Sequence, residues 1–85
     1  MNAATETVTE SGYKGWANME TYTTNVTILQ DRLVHKVVEG MAPNLTGESL
    51  EKVFRDFYPT GANGLDFFDL LNVDWDDLAL AFNGY

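Results

Sequence analysis

The stretch TGESLEKVFRDFYP, residues 46–59, carries the clearest structural pattern in the chain. Its large apolar side chains recur at intervals of three and four residues, the spacing of one buried face on an amphipathic helix. They are Leu50, Val53, Phe54 and Phe57. Thr46 can cap the first turn, and Pro59 ends the helix because the residue before a proline avoids helical geometry. The stretch therefore predicts a helix that packs on a core by one face.

Two helical segments are predicted before this stretch. Asn18 can cap the first segment. The apolar residues that would form its buried face are Met19, Tyr22, Val26, Leu29 and Leu33. Residues 22–28 also alternate as a strand would, but the helical pattern persists longer, so we favour a helix. The second segment, residues 31–39, would end at Gly40, and the two segments form either one long helix or two with a bend near Gln30.

Two further helices are predicted after Pro59. A turn at residues 60–64 leads to a short apolar helix over residues 65–71, where Asn63 and Asp66 have the spacing of a reciprocal cap. Asp74 and Asp77 stand at the cap and third positions of the last helix. Its residues that would face the core are Trp75, Leu78, Ala79 and Phe82. We therefore expect an all-α fold, a small compact bundle of four or five helices.

The domain organisation follows from where large apolar residues occur. Residues 1–11 contain one large apolar side chain, Val8, which is too little buried surface to offset the entropy of ordering them. We expect a disordered tail over residues 1–11 and a single helical domain over residues 12–85. A chain of 85 residues rarely holds two cores.

Composition excludes several classes of protein. The chain has no cysteine, which excludes disulfides and thiolate metal sites, and no apolar run long enough to span a bilayer. It has thirteen acidic against five basic residues, a net charge of −8, which argues against direct nucleic-acid binding. Its N-terminus shows no signal-peptide pattern, so we expect a cytoplasmic protein.

The acidic residues are concentrated in the second half of the chain. Residues 1–43 hold five acidic and three basic residues, whereas residues 44–85 hold eight and two, with none basic after Arg55. The candidate contact residues in this half are Asp56, Asp66, Asp69, Asp76 and Asp77. Three functions compete: a cation site, a mimic of nucleic-acid phosphates, and a docking face for a basic partner. No calcium-loop spacing is present, so no metal is expected, and solubility with helix capping explains the same residues without any function.

Aromatic residues and the single histidine are the remaining candidates. Trp16 and Trp75 are expected in the core, with Trp16 more exposed, and Tyr13 with Trp16 forms an alternative apolar contact. His35 has no second histidine to share a metal, and we interpret it as a structural or surface residue. No nucleophile-elbow, phosphate-loop or zinc-protease motif occurs, so neither an enzyme nor a cofactor is expected.

Two short motifs carry a resemblance to a known group of proteins. The run from Tyr13 to Tyr22, with its Gly-Trp-x-Asn-x-Glu-Thr-aromatic pattern, and the run from Val73 to Ala79 resemble segments of short uncharacterised proteins of phages, archaea and bacteria. This chain departs from them in carrying Tyr22 where tryptophan is usual. The resemblance implies a helical fold and a phage-type origin, and it transfers no catalytic or binding residue.

These observations favour a small acidic interaction protein, encoded by a phage, that binds and modulates a host protein with a basic surface. The alternatives are a nucleic-acid mimic that blocks a defence or transcription protein, and a structural accessory protein of a virion. A mimic predicts binding that weakens steeply with salt, whereas an apolar docking helix predicts weak salt dependence. The sequence leaves open whether the protein is a monomer or a homodimer.

Overall fold

Four α-helices follow one another along the chain, each directly after a residue whose side chain caps it. The computed structural model describes residues 14–84, and it has one further 3-10 helix, η1, and no strand within that range. The elements are α1 (Met19–Gln30), α2 (Arg32–Met41), α3 (Gly47–Phe57), η1 (Asp69–Asn72) and α4 (Trp75–Phe82). The expected all-α class is confirmed. The tail expected over residues 1–11 lies outside the described residues.

The predicted caps are confirmed at three helix starts. The side chains of Asn18, Thr46 and Asp74 each accept a hydrogen bond from the backbone N–H three residues later, at 2.8–3.0 Å. At α3 the cap is reciprocal, because the Thr46 N–H donates to Ser49 Oγ at 3.0 Å. Such caps satisfy backbone donors that the first turn leaves without partners.

Asp31 separates α1 from α2, so the two segments are two helices rather than one. Its backbone is extended, and its carboxylate accepts from the N–H groups of Leu33 and Val34. The expected end of α2 at Gly40 is wrong, because the helix runs to Met41. Ala42 precedes Pro43 and adopts the extended backbone that such a position favours, which ends the helix there.

The buried face predicted for α1 is wrong. Met19, Leu29 and Leu33 are half or more exposed. The buried residues of α1 are Thr21, Thr24, Thr27 and Ile28. Thr21 and Thr27 can be buried because their hydroxyls bond to other elements: the Asp74 N–H donates to Thr21 Oγ1 at 2.9 Å, and Asn63 Nδ2 donates to Thr27 Oγ1 at 2.6 Å.

The core lies between α3 and α4 and is closed by α1, α2 and η1. Its largest fully buried side chain is that of Phe54, whose ring lies 5.6 Å from the ring of Trp75. Trp75 Nε1 donates to the Leu70 carbonyl at 3.2 Å, and Trp16 is half-buried against the same core. Both tryptophans therefore occupy the places predicted for them.

The short helix predicted over residues 65–71 is wrong in its extent. Only the 3-10 turn η1 forms, and the predicted cap between Asn63 and Asp66 is absent because Asn63 bonds to Thr27 instead. Asp66 and Asp69 cap each other: the Asp66 N–H donates to Asp69 Oδ2 at 3.0 Å, and the Asp69 N–H donates to Asp66 Oδ1 at 2.8 Å. This reciprocal pair fixes the backbone that leads into η1.

Candidate protein-binding surface

Three large apolar side chains project into solvent from the segment around η1. Phe67 is 49%, Phe68 is 71% and Leu71 is 66% exposed. We call these three residues the aromatic ridge. The segment is anchored on both sides of the phenylalanines, since Leu65 and Leu70 are buried in the core. The two phenylalanine side chains thus remain outside the core.

The aromatic ridge has a defined shape and a charged edge. The rings of Phe67 and Phe68 pack edge to face, with centroids 5.6 Å apart. The guanidinium of Arg55 lies 4.8 Å from the Phe67 ring centroid, and its Nε donates to Glu51 at 2.8 Å. Contacts between a cation and a ring face help to hold both groups in place. Arg55 therefore supports the ridge from α3.

Two of the predicted contact residues lie in the segment that carries the aromatic ridge, residues 66–71, which we call the ridge segment. Asp66 directly precedes Phe67, and Asp69 directly follows Phe68. Their carboxylates cap each other's backbone. The structure therefore joins the acidic character predicted for this part of the chain to an exposed apolar surface. No lysine or arginine follows Arg55 in the sequence, so no later basic residue offsets the negative charge of Asp66 and Asp69.

The other predicted contact residues lie elsewhere. Asp56 on α3 forms an exposed ion pair with Lys52 at 3.6 Å. Asp76 on α4 lies against Gly47 at the start of α3, where a negative charge complements the helix dipole. Asp77 is half-buried in the first turn of α4. Tyr13 lies outside the described residues, and Trp16 packs on the core.

A polar cavity of about 400 Å³ lies where Asp31, at the junction of α1 and α2, meets Tyr58. The Tyr58 hydroxyl donates to Asp31 Oδ2. This hydrogen bond holds the pKa of Asp31 below its usual value and raises the pKa of Tyr58 to about 12. Both Asp31 oxygens are already used within the chain. The pair ties the junction of α1 and α2 to the end of α3.

His35 occupies a boundary position, as the sequence indicates. Its ring lies 6.2 Å from that of Phe82, and its Nε2 lies 3.6 Å from Glu39 one turn along α2.

Across residues 14–84, no three histidine, aspartate or glutamate side chains are grouped so that they could hold a metal ion. Within the same range, none of the helices combines the length and the apolar composition needed to span a membrane.

A comparison of the chain with protein-family models, with curated proteins and with solved structures finds no match in any of the three. The function is therefore inferred from the chain's own surface. Sequence reasoning missed the aromatic ridge because it assigned these apolar residues to a helix packed on the core. The adjacent pair of phenylalanines was the available sign, since neighbouring residues of a helix point in different directions and a short helix seldom buries two large rings side by side.

Proposed function

We propose that the protein is a non-enzymatic interaction protein that binds another protein through the aromatic ridge and modulates it. The observation that carries the proposal is the exposure of Phe67, Phe68 and Leu71 beside the carboxylates of Asp66 and Asp69. Each exposed apolar side chain of this size gains about 1.5–3 kcal/mol when it is fully buried. Contiguous apolar surfaces with a polar rim mark binding sites on small domains.

The chemistry of the ridge defines the partner that fits it. Aromatic side chains anchor interfaces when they enter an apolar pocket from which water is excluded. The two carboxylates favour basic residues around that pocket, and they repel acidic surfaces. The partner is therefore a protein with an apolar groove and a basic rim. This agrees in charge with the host protein that the sequence analysis predicts as the target.

The alternative function is nucleic-acid mimicry, which requires a different kind of surface. A mimic presents carboxylates in place of phosphates, and its binding depends on charge rather than on apolar contact. Here Asp56 is paired with Lys52, and Asp76 faces the start of α3. The two neighbouring carboxylates of the ridge flank phenyl rings, which favours an apolar contact steered by charge.

A defined peptide tests the proposal. The probe is a synthetic helical peptide with leucines on one face and lysines along both flanks, titrated into the labelled protein while backbone amide shifts are recorded. We expect the shifts to be concentrated in residues 65–72 and the dissociation constant to rise about tenfold or more in Phe68→Ser, a loss of about 1.4 kcal/mol.

Leu80→Ser is the control variant. Leu80 is an exposed large apolar side chain, as Phe68 is, but it lies on α4. This variant should bind the peptide as the wild type does. A second peptide with glutamates in place of the lysines should bind more weakly. Equal affinity for the two peptides, or equal weakening by Phe68→Ser and Leu80→Ser, would overturn the proposal.

A further inference from the structure

Helix α2 carries two exposed cations that form no ion pair with any of residues 14–84. Lys52 pairs with Asp56 and Arg55 pairs with Glu51, while the ammonium of Lys14 lies 5.5 Å from the Tyr22 ring centroid. Arg32 and Lys36 are exposed and form no ion pair in that range. They stand four residues apart, so both lie on one side of α2.

The same side of α2 presents apolar surface. Leu33 is 68% and Val37 is 40% exposed, and they also stand four residues apart, next to Arg32 and Lys36. The core contacts of α2 are made by Val34 and Val38, which are fully buried. We call Arg32, Leu33, Lys36 and Val37 the α2 face. Its occupant must offer apolar side chains and negative charge.

The aromatic ridge offers both, since its exposed apolar side chains stand next to Asp66 and Asp69. Its phenylalanines match the apolar residues of the α2 face, and Asp66 with Asp69 match the two unpaired cations. Leu33 and Phe68 are both exposed in one chain, so the two surfaces do not cover each other within it. We propose that the α2 face of one copy docks on the aromatic ridge of a second copy.

Charge selects this pairing over symmetric ones. Two ridges facing each other would oppose four carboxylates, and two α2 faces would bring together the Arg32 and Lys36 cations of both copies. Pairing unlike surfaces removes both conflicts. Such a contact is head-to-tail. In an open chain it leaves one unused surface at each end, and it forms a ring where the chain closes on itself. This inference rests on the proposed function, because it names a partner for the same ridge.

Two single variants and their mixture test the inference. Leu33→Asp disables the α2 face and leaves the ridge intact, whereas Phe68→Asp disables the ridge and leaves the α2 face intact. Sedimentation velocity should show concentration-dependent association of the wild type and a single species of 9.5 kDa for each variant alone. The equimolar mixture should form a one-to-one dimer and nothing larger, because only one functional interface remains.

Each contrary result points to a specific failure. A wild type that stays monomeric at millimolar concentration overturns the inference, as does a mixture that stays monomeric. Loss of association in Leu33→Asp alone, with Phe68→Asp still dimeric, identifies a symmetric α2 contact and also overturns it. The lysine peptide of the preceding test is then titrated into monomeric Leu33→Asp. If the peptide binds this variant, the proposed function stands although the inference of self-association fails. If the peptide does not bind, both the proposed function and the inference are wrong.

Discussion

Three threonines form most of the buried face of α1, and two of them, Thr21 and Thr27, form hydrogen bonds to other elements through their hydroxyls. Thr21 Oγ1 donates to Asn18 Oδ1 at 2.6 Å and accepts from the Asp74 N–H, so one side chain joins the starts of α1 and α4. Thr24 is equally buried, but its hydroxyl has no hydrogen-bond partner among the described residues. Two chemically identical side chains on one helix face therefore differ in what their hydroxyls contribute.

This difference predicts opposite effects of the same substitution. Thr21→Val removes the acceptor of the part-buried hydrogen bond from the Asp74 N–H and should lower the free energy of unfolding by about 0.5–1.5 kcal/mol. Thr24→Val removes a buried hydroxyl that has no partner and should raise it by about 1 kcal/mol. Valine matches threonine in shape, so packing is preserved in both. Urea titrations of the two variants measure the effects, and a loss of stability in Thr24→Val would contradict this account of the hydroxyl.

The Asp31–Tyr58 hydrogen bond predicts how stability changes with pH. The pKa of Asp31 is held below its ordinary value of 3.8, so its contribution is complete above that pH and is lost as the pH falls through the lower value. The pKa of Tyr58 is raised from 10.0 to about 12, so its contribution is complete below pH 10 and is lost as the pH rises towards 12.

Tyr58→Phe should therefore reduce the free energy of unfolding most between these limits and converge with the wild type at both extremes. Unfolding titrations across the pH range measure this difference. Ultraviolet titration of the phenolates should also lose the transition near pH 12 that Tyr58 contributes. A pH-independent difference between the two proteins would assign the effect of Tyr58 to packing alone.

At the scale of elements, the features that depend on local sequence are those that could be predicted. A cap needs one side chain and one backbone N–H three residues later, so Asn18, Thr46 and Asp74 are recognisable without knowledge of the fold. The end of α3 before Pro59 is local in the same sense. Gly40 misleads for a local reason too, because a glycine tolerates helical geometry as well as a helix end.

The features that depend on contacts between distant residues could not be predicted. Hydropathy marks Thr21 as polar, and its hydrogen bond from the distant Asp74 N–H, which helps to accommodate it in the interior while Met19 is exposed, leaves no sign in the local sequence. Residues 65–71 have a helical composition, yet the mutual capping of Asp66 and Asp69 and the burial of Leu65 and Leu70 shape the segment differently. Of the candidate surface, only the acidic edge could therefore be predicted.

The approach of α4 to α3 predicts contrasting effects of alanine at two helical glycines. A Cβ on Gly47 would lie 2.9 Å from the backbone nitrogen of Asp76, closer than real Cβ atoms approach, so Gly47→Ala should force the helices apart. We expect a loss of about 1–3 kcal/mol, the range for overpacking. Gly40 has open space around it and a helical backbone, so Gly40→Ala should stabilise α2 by about 0.5–1 kcal/mol.

Thermal or urea unfolding of the two variants provides the measurement. Each variant serves as the control for the other, because both substitutions add one methyl group to a helix and differ only in what surrounds that methyl group. Equal stabilisation by both alanines would show that α3 and α4 do not approach each other closely at Gly47.

At the scale of the whole molecule, charge is distributed unevenly and so are the apolar surfaces. The net charge is −8, yet α2 carries two exposed cations, Arg32 and Lys36, that form no ion pair with any of residues 14–84, whereas the charged residues of the segment 66–71 are both acidic. If the protein binds as proposed, its overall field attracts a basic partner and the ridge orients that partner. Long-range attraction changes mainly the rate of association, whereas the apolar contact determines how long the complex lasts.

This division predicts the behaviour of the double variant Asp66→Asn/Asp69→Asn. Asparagine keeps the Oδ1 acceptor, so the reciprocal caps and the fold should be retained while two charges are removed from the ridge. The association rate with the lysine peptide should fall and the dissociation rate should change little. The fall should be larger at low salt, since screening limits the field to about 8 Å at physiological ionic strength.

The control variant Glu48→Gln/Asp56→Asn makes the same change in net charge at exposed positions on α3. If the local charge of the ridge orients the encounter, this control should slow association much less than Asp66→Asn/Asp69→Asn does, at every salt concentration. Stopped-flow fluorescence with a labelled peptide measures both rates. Equal slowing by the two double variants would mean that only net charge acts, and the carboxylates of the ridge would then have no separate role in recognition.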